Sequence, residues 1–204
     1  MSQAEKAEVT RAPLIVLSGP SGVGKTTVVS ELLRRTQLPL RRAVTATTRA
    51  PRLGEVPEVD YHFWSKEAFQ AAIDAGQMLE YALVFGRDYY GTPRSEVDHY
   101  RERGIGVLLV IDVQGASQIR QSYPNDHVSV FVMPPTLEDL RSRLQSRGSE
   151  DASRLASRLA TAETELKQAM LFDHQLLNQE LSQAVAELEL LLQQAFLKTQ
   201  TGGY

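Results

Sequence analysis

The segment Gly19-Pro20-Ser21-Gly22-Val23-Gly24-Lys25-Thr26 fits the phosphate-loop spacing G-x-x-x-x-G-K-[ST]. The chemistry needs that spacing. The glycines let the backbone curl until successive N–H groups face one phosphate, and a following helix adds the partial positive charge of its N-terminus. Lys25 supplies a mobile ammonium to the terminal phosphates. The Thr26 hydroxyl can ligate Mg²⁺. Such a loop fixes a nucleoside triphosphate site but does not say what receives the phosphate.

A second cluster can hold an acceptor. Thr45, Thr47, Thr48, Arg49, Pro51, Arg52, Gly54 and Glu55 follow one another closely, and Pro51 stiffens the turn between the two arginines. Two guanidinium forks three residues apart can aim at one phosphate. Tyr61 and the pair Tyr89-Tyr90 can add phenolic donors. Asp112 ends an apolar run, where it can meet either a base or a magnesium ion. Arginines at 141, 143, 147, 154 and 158 fall in one helical stretch, where they either solvate exposed helices or meet phosphates. The four histidines are scattered and show no ligand spacing, so they read as surface or packing residues. The absence of cysteine excludes disulfides, thiolate metal sites and a cysteine nucleophile.

These residues need a scaffold, and the rest of the chain supplies one. Its 204 residues are 42% hydrophobic and 23% charged, the balance of one globular domain. A net charge of −3 argues against binding nucleic acid through a general basic surface. The aliphatic runs Leu14–Leu17 and Val107–Ile111 are far too short to cross a bilayer. Met1 to Thr10 is polar and has no apolar segment of a secretory leader, so the expectation is a soluble, cytoplasmic protein with no membrane partner.

Pro13–Ser18 reads as a buried strand, 26–35 as a helix, Val107–Ile111 as a strand, 113–122 as a helix and Val128–Met133 as a strand. Leu176-Leu177 suggests a last short strand before a helix over 181–197. This alternation predicts an α/β fold with a mainly parallel central sheet flanked by helices. The stretch 43–104 breaks the rhythm with short alternating pieces at Tyr61–Trp64 and Met78–Phe85 and a helix near 66–75, so it reads as a small insertion with its own mixed sheet. The stretch 138–172 is almost wholly helical.

The phosphate loop, the Thr45–Glu55 cluster, Glu80, Tyr89-Tyr90-Gly91-Thr92, Ile111-Asp112-Val113-Gln114-Gly115, Pro134-Pro135 and Arg143 to Gly148 occur in the order seen in guanylate kinases. The resemblance runs from about 13 to 197. It implies a P-loop kinase fold that transfers the γ-phosphoryl group of ATP to GMP, with dGMP also accepted and Mg²⁺ accompanying ATP. It divides the chain into a flexible tail over 1–12 and a single domain over 13–204. Within that domain it implies a core of 13–42, 105–137 and 173–197, a GMP-binding insertion over 43–104 and a mobile lid over about 138–172.

By the same resemblance, Arg49, Arg52, Tyr61 and Tyr90 contact the GMP phosphate. Thr45, Glu80, Thr92 and Asp112 contact guanine. Residues 19–26 with Thr27, Arg143 and Asn178 contact ATP, and Thr26 holds the metal. Lys25, Arg147 and Arg158 act on the transferring group. The physics agrees at the base: a carboxylate at Glu80 can accept from both guanine N1–H and N2–H, while a Thr45 hydroxyl donates to O6. Adenine would leave these groups unpaired, and sites of this kind discriminate by up to ~10⁴-fold or more.

The sequence departs from the family pattern in five places. Threonine stands at 45 and 92 where serine is common. Valine stands at 110 where an acid is common. Leu177-Asn178-Gln179 matches the adenine-side segment only loosely, and Arg87-Asp88 holds one extra residue, read as a longer hairpin turn. Two alternatives stand beside this reading: a P-loop kinase for another small molecule, and a non-catalytic guanylate-kinase-like binding module. The second usually has a degraded loop, and the loop here is intact. Oligomeric state is not legible in the sequence.

Overall fold

Buried aliphatic runs set the order of the chain. The computed structural model describes residues 11–84, 86–145 and 152–200. β1 (Leu14–Ser18) is buried throughout and leads through the loop into α1 (Lys25–Arg35). Ile15 and Leu17 enter one core with Val28, Val29 and Leu32 of α1, while Leu14 and Val16 enter a second core on the other side. A strand covered on both faces needs this unbroken apolar run.

After β2 (Leu40–Arg42) come β3 (Thr45–Thr47), β4 (Tyr61–Phe63), α2 (Lys66–Asp74), β5 (Met78–Val84), β6 (Asp88–Pro93) and α3 (Asp98–Arg101). The chain continues through β7 (Gly106–Val110), α4 (Val113–Ser122), β8 (Val128–Met133), α5 (Leu137–Gln145) and α6 (Ala152–Leu166). It closes with β9 (His174–Leu177) and α7 (Leu181–Gln200).

Two sheets result. The first is parallel in the order β2-β7-β1-β8-β9. β1 lies between β7 and β8, so strand order reverses at its carboxyl end. Open α/β sheets bind ligands at such a point, and the phosphate loop leaves β1 there. The second sheet is mixed, in the order β4-β3-β6-β5, with β3 parallel to β4 and the other pairs antiparallel. Ala46, Phe69, Ala72 and Met78 give it a small core of its own. The β5–β6 hairpin turns at Gly86-Arg87, where the Arg87 N–H donates to the Val84 carbonyl at 3.2 Å.

Side chains join the two sheets. Gln118 of α4 accepts from the Tyr81 N–H at 3.1 Å and donates to the Tyr81 carbonyl at 2.6 Å. The amide thus completes the outer edge of β5 as a neighbouring strand would. Glu96 accepts from Arg41 at 2.8 Å and from the Val44 N–H at 3.1 Å, where the chain passes from the first sheet to the second.

Ala12, at the boundary of the expected tail, is tied to the body of the protein. The Ala12 N–H donates to the Arg101 carbonyl at 3.0 Å, and Arg101 Nε donates back to the Ala12 carbonyl at 2.7 Å. Those bonds bury Ala12 against the body of the protein, and residues 1–10 lie outside the described residues. Among the described residues, no helix is long and apolar enough to cross a membrane.

Candidate active site

The phosphate loop is shaped by positions that no other residue fills easily. Gly19 has φ 139°, and a Cβ on it would lie 2.5 Å from the Val132 carbonyl of β8. Gly24 caps α1 at φ 103°, and a Cβ there would meet Asn178 Nδ2 at 2.5 Å. α1 starts with no side-chain cap and no acid in its first turn. Its first N–H groups and its dipole are therefore left for an anion. Lys25 Nζ folds over the loop and donates to the carbonyls of Gly19 at 2.5 Å and Pro20 at 3.1 Å. Arg158 of α6 reaches the Ser21 hydroxyl at 2.9 Å.

The loop is braced from behind. The Val23 carbonyl accepts from Asn178 Nδ2 at 2.8 Å and from Arg143 at 3.0 Å, and Arg143 also donates to the Asn178 carbonyl at 2.9 Å. Together with Gly24 and Thr27 these two residues line a recess of about 350 Å³. The sequence placed Arg143 and Asn178 on the ATP side; the structure adds that both hold the loop in shape.

Across the main cavity lies a cluster of polar groups. Glu80 of β5 is 3% exposed and accepts from the Thr92 hydroxyl of β6 at 2.7 Å. Burial pushes its carboxyl up to about 7; the nearby Asp112 adds to the rise, and the Thr92 hydroxyl opposes it. Asp112 caps α4, its Oδ1 accepting from the Gly115 N–H at 2.9 Å. Arg49 donates to the Tyr90 hydroxyl at 3.0 Å and to Glu55 at 2.8 Å, and its guanidinium lies 5.5 Å from the Tyr61 ring centre. The bond to Glu55 holds the Arg49 charge firmly on and lowers the Glu55 carboxyl. Tyr61 is raised, first by burial and then by Tyr90.

One cavity of about 480 Å³ joins the two clusters, with Lys25 and Thr26 at one end and Thr45, Glu80 and Asp112 at the other. Tyr61 and Tyr90 line it as well. Thr92 reaches it through Glu80, and Arg49 through Tyr90. Arg52 is exposed and stands apart from the lining, its N–H held by Glu55 at 2.7 Å. Arg147 lies outside the described residues. Val110 brings an apolar side chain to the wall.

The same wall contains three polar residues that the sequence did not single out: Arg42, Thr161 and Glu165. Arg158, Thr161 and Glu165 sit at i, i+3 and i+7, one face of α6, so that spacing was the available signal. Glu165 is raised by burial, and the Lys25 charge and the Ser21 N–H counter the rise. Arg42 donates to the Val59 carbonyl at 2.9 Å; nothing in its local sequence marks it.

A parallel sheet that feeds a phosphate loop at its switch point, with a second polar cluster across one cavity, defines a P-loop phosphotransferase. The comparisons narrow the class. The family model for guanylate kinase matches residues 11–195. The chain is 44% identical over 190 residues to the guanylate kinase of Symbiobacterium thermophilum, covering 93% of this chain and 89% of that one. It is 48% identical over 176 residues to the guanylate kinase of Thermosynechococcus vestitus, covering 86% and 91%. The crystal structure of guanylate kinase from Anaplasma phagocytophilum matches with a TM-score of 0.77 at 31% identity, covering 93% and 88%. The chain belongs to the guanylate kinase family.

Proposed function

We propose that this chain catalyses ATP + GMP ⇌ ADP + GDP, and accepts dGMP as well, inside the cavity that Lys25 and Glu80 share. That shared cavity is the observation that carries the reading. ATP phosphates lie on the loop, with Lys25 and Arg158 beside the transferring group and Arg147 as a further cation there. GMP lies across the cavity. Its phosphate meets Arg49, Arg52, Tyr61 and Tyr90, and its base meets Thr45, Glu80, Thr92 and Asp112.

The acceptor is a phosphate oxygen, ionised near neutral pH. No strong general base is required, and catalysis rests on in-line placement and cancellation of charge. The stretch 138–172, of which α5 and α6 are described, acts as a lid and the stretch 43–104 as the acceptor-binding insertion. Their closure excludes water, which otherwise competes as acceptor.

Mg²⁺ fits this donor set. Among the described residues there is no group of three or more His, Cys, Asp or Glu side chains able to hold a metal. Mg²⁺ with nucleotides is commonly held through phosphates and water with one or two protein oxygens. The Thr26 hydroxyl at the cavity wall is such an oxygen. When bound, the ion would neutralise charge on the phosphates. The chain's own residues orient them. We place this activity in the cytoplasm, where both nucleotides and Mg²⁺ are plentiful.

An ADP-release assay with GMP, AMP, CMP and UMP in parallel tests the reading. Mg²⁺-dependent turnover of GMP alone is expected. Comparable turnover of AMP or UMP overturns it.

A further inference from the structure

Helix α4 supplies no side chain that reads a base in the assignment above beyond its cap, Asp112, yet it touches the centre of the acceptor site. A Cβ built at Gly115 would lie 2.3 Å from Glu80 Oε2 and 3.1 Å from its Cδ. Gly115 is buried in ordinary helix and is not among the positive-φ glycines, so backbone conformation does not demand glycine there. Space does. The other carboxylate oxygen, Oε1, is fixed by the Thr92 hydroxyl at 2.7 Å. Glu80 is thus held between Thr92 on one side and the bare Cα of Gly115 on the other.

One helical turn on, Gln118 fixes the distance between helix and strand. Its two hydrogen bonds join the backbone of Tyr81, the residue after Glu80. The Gly115 N–H also donates to Asp112 Oδ1 at 2.9 Å, so one residue of α4 touches both carboxylates of the acceptor cluster.

We infer that Gly115 and Gln118 are positioning residues for guanine specificity: the missing Cβ at 115 leaves the pocket that the Glu80 carboxylate occupies, and Gln118 holds β5 at the matching depth. The inference rests on the reading that Glu80 accepts from guanine. In Gly115→Ala the methyl group claims the place of Oε2. The flexible carboxylate yields before the helix backbone does, and it swings away from the base. Alanine favours a helix more than glycine does, which offsets the crowding against Glu80 and the 3.3 Å approach to Ile111 Cδ1.

Four variants separate the possibilities: Gly115→Ala, Gln118→Ala, Glu80→Ala and the Gly115→Ala/Glu80→Ala pair, assayed with GMP and AMP and melted thermally. Gly115→Ala is expected to lower kcat/KM for GMP by roughly 10- to 100-fold, the loss of one charge-assisted hydrogen bond. AMP kinetics stay near those of the parent, and the Tm is unchanged or higher. In the Glu80→Ala background the same substitution has no further effect, because the conflict has been removed. Gln118→Ala, should Gly115→Ala fold poorly, is expected to raise the KM for GMP several-fold with kcat retained and AMP kinetics near those of the parent. Losses at 115 and 80 that multiply, or GMP kinetics unchanged in Gly115→Ala or Gln118→Ala, overturn the inference. Unchanged GMP kinetics in Glu80→Ala would instead overturn the base-reading role of Glu80.

Discussion

Glu80 is subject to opposed demands. Burial favours its neutral acid and lifts the carboxyl to about 7, whereas guanine needs an acceptor on both oxygens. In the free protein the base-reading form therefore gains population as pH rises through about 7. We expect kcat/KM for GMP to climb through a limb near that value and Glu80→Gln to remove it. The nucleotide's own phosphate, which titrates near ~6, leaves its separate limb in both proteins. A limb near 7 that persists in Glu80→Gln assigns it to another group. Stability moves the other way. A carboxyl raised on folding contributes stability below its ordinary value of 4.5 and loses that contribution as pH climbs through about 7. Glu80→Gln should therefore flatten the fall in Tm over that window. Above the window the variant should lose roughly 30- to 1,000-fold in kcat/KM for GMP, the cost of about 2–4 kcal/mol for a broken charge-assisted bond and an opposed donor. Arg158 is a simpler case. It already reaches the Ser21 hydroxyl at the loop, and charge on the transferring group peaks in the transition state. Arg158→Ala should reduce kcat by roughly 100-fold while KM for GMP changes little, as steady-state kinetics will show.

Among the elements, those that bury two faces are the ones a sequence displays. β1 and β7 carry unbroken aliphatic runs, β8 is apolar except at Ser129, and α1 carries its core positions at helical spacing, so all four can be read from residue types. β2 and β3 are three residues each, Leu40-Arg41-Arg42 and Thr45-Ala46-Thr47, too short for alternation to declare itself. In the sequence both dissolve into an arginine-rich turn. Arg101 is hidden for another reason. It is fully buried at the end of α3, and its guanidinium forks onto Asp126, 25 residues away. No local pattern announces a partner so distant. The pair ties α3 to the turn before β8, and through the Ala12 carbonyl to the start of β1. Removing the acid leaves a buried cation without its counter-charge, a loss on the order of 3 kcal/mol. Asp126→Ala should show that loss in chemical denaturation while kcat and KM stay near the parent values, because neither residue lines the cavity. A stability change below about 0.5 kcal/mol, typical of an exposed pair, counts against this.

At the scale of the whole molecule, the donor cluster stands on the parallel sheet, whereas the acceptor cluster draws on the mixed sheet and, through Asp112, on the end of β7, and the two meet in the cavity. The loop and Lys25 stand at the end of β1 in the parallel sheet, whereas Thr45, Glu80 and Thr92 stand on the mixed sheet, with Asp112 at the cap of α4. Motif spacing made the loop legible, the end of an apolar run marked Asp112, and resemblance brought out Glu80. Glu165 and Arg42 reach the cavity only because distant elements fold over it, and the need for glycine at 115 arises only where a helix of one unit meets a strand of the other. This division predicts how the two halves fail. Lys25 donates to the loop carbonyls of Gly19 and Pro20. Lys25→Ala removes the ammonium from the transferring phosphate but leaves the α1 N-terminus and the whole acceptor side in place. Turnover should fall by roughly 100- to 1,000-fold, the scale set by loss of one preorganised charge stabiliser. Calorimetry with GMP alone should give a Kd within about threefold of the parent, since the groups proposed to hold GMP, Arg49, Tyr61, Tyr90 and the Glu80 cluster, all stay in place. A Lys25→Ala protein that melts normally yet no longer binds GMP would show that the ammonium belongs to the acceptor site, and the assignment of one substrate to each sheet would have to be redrawn.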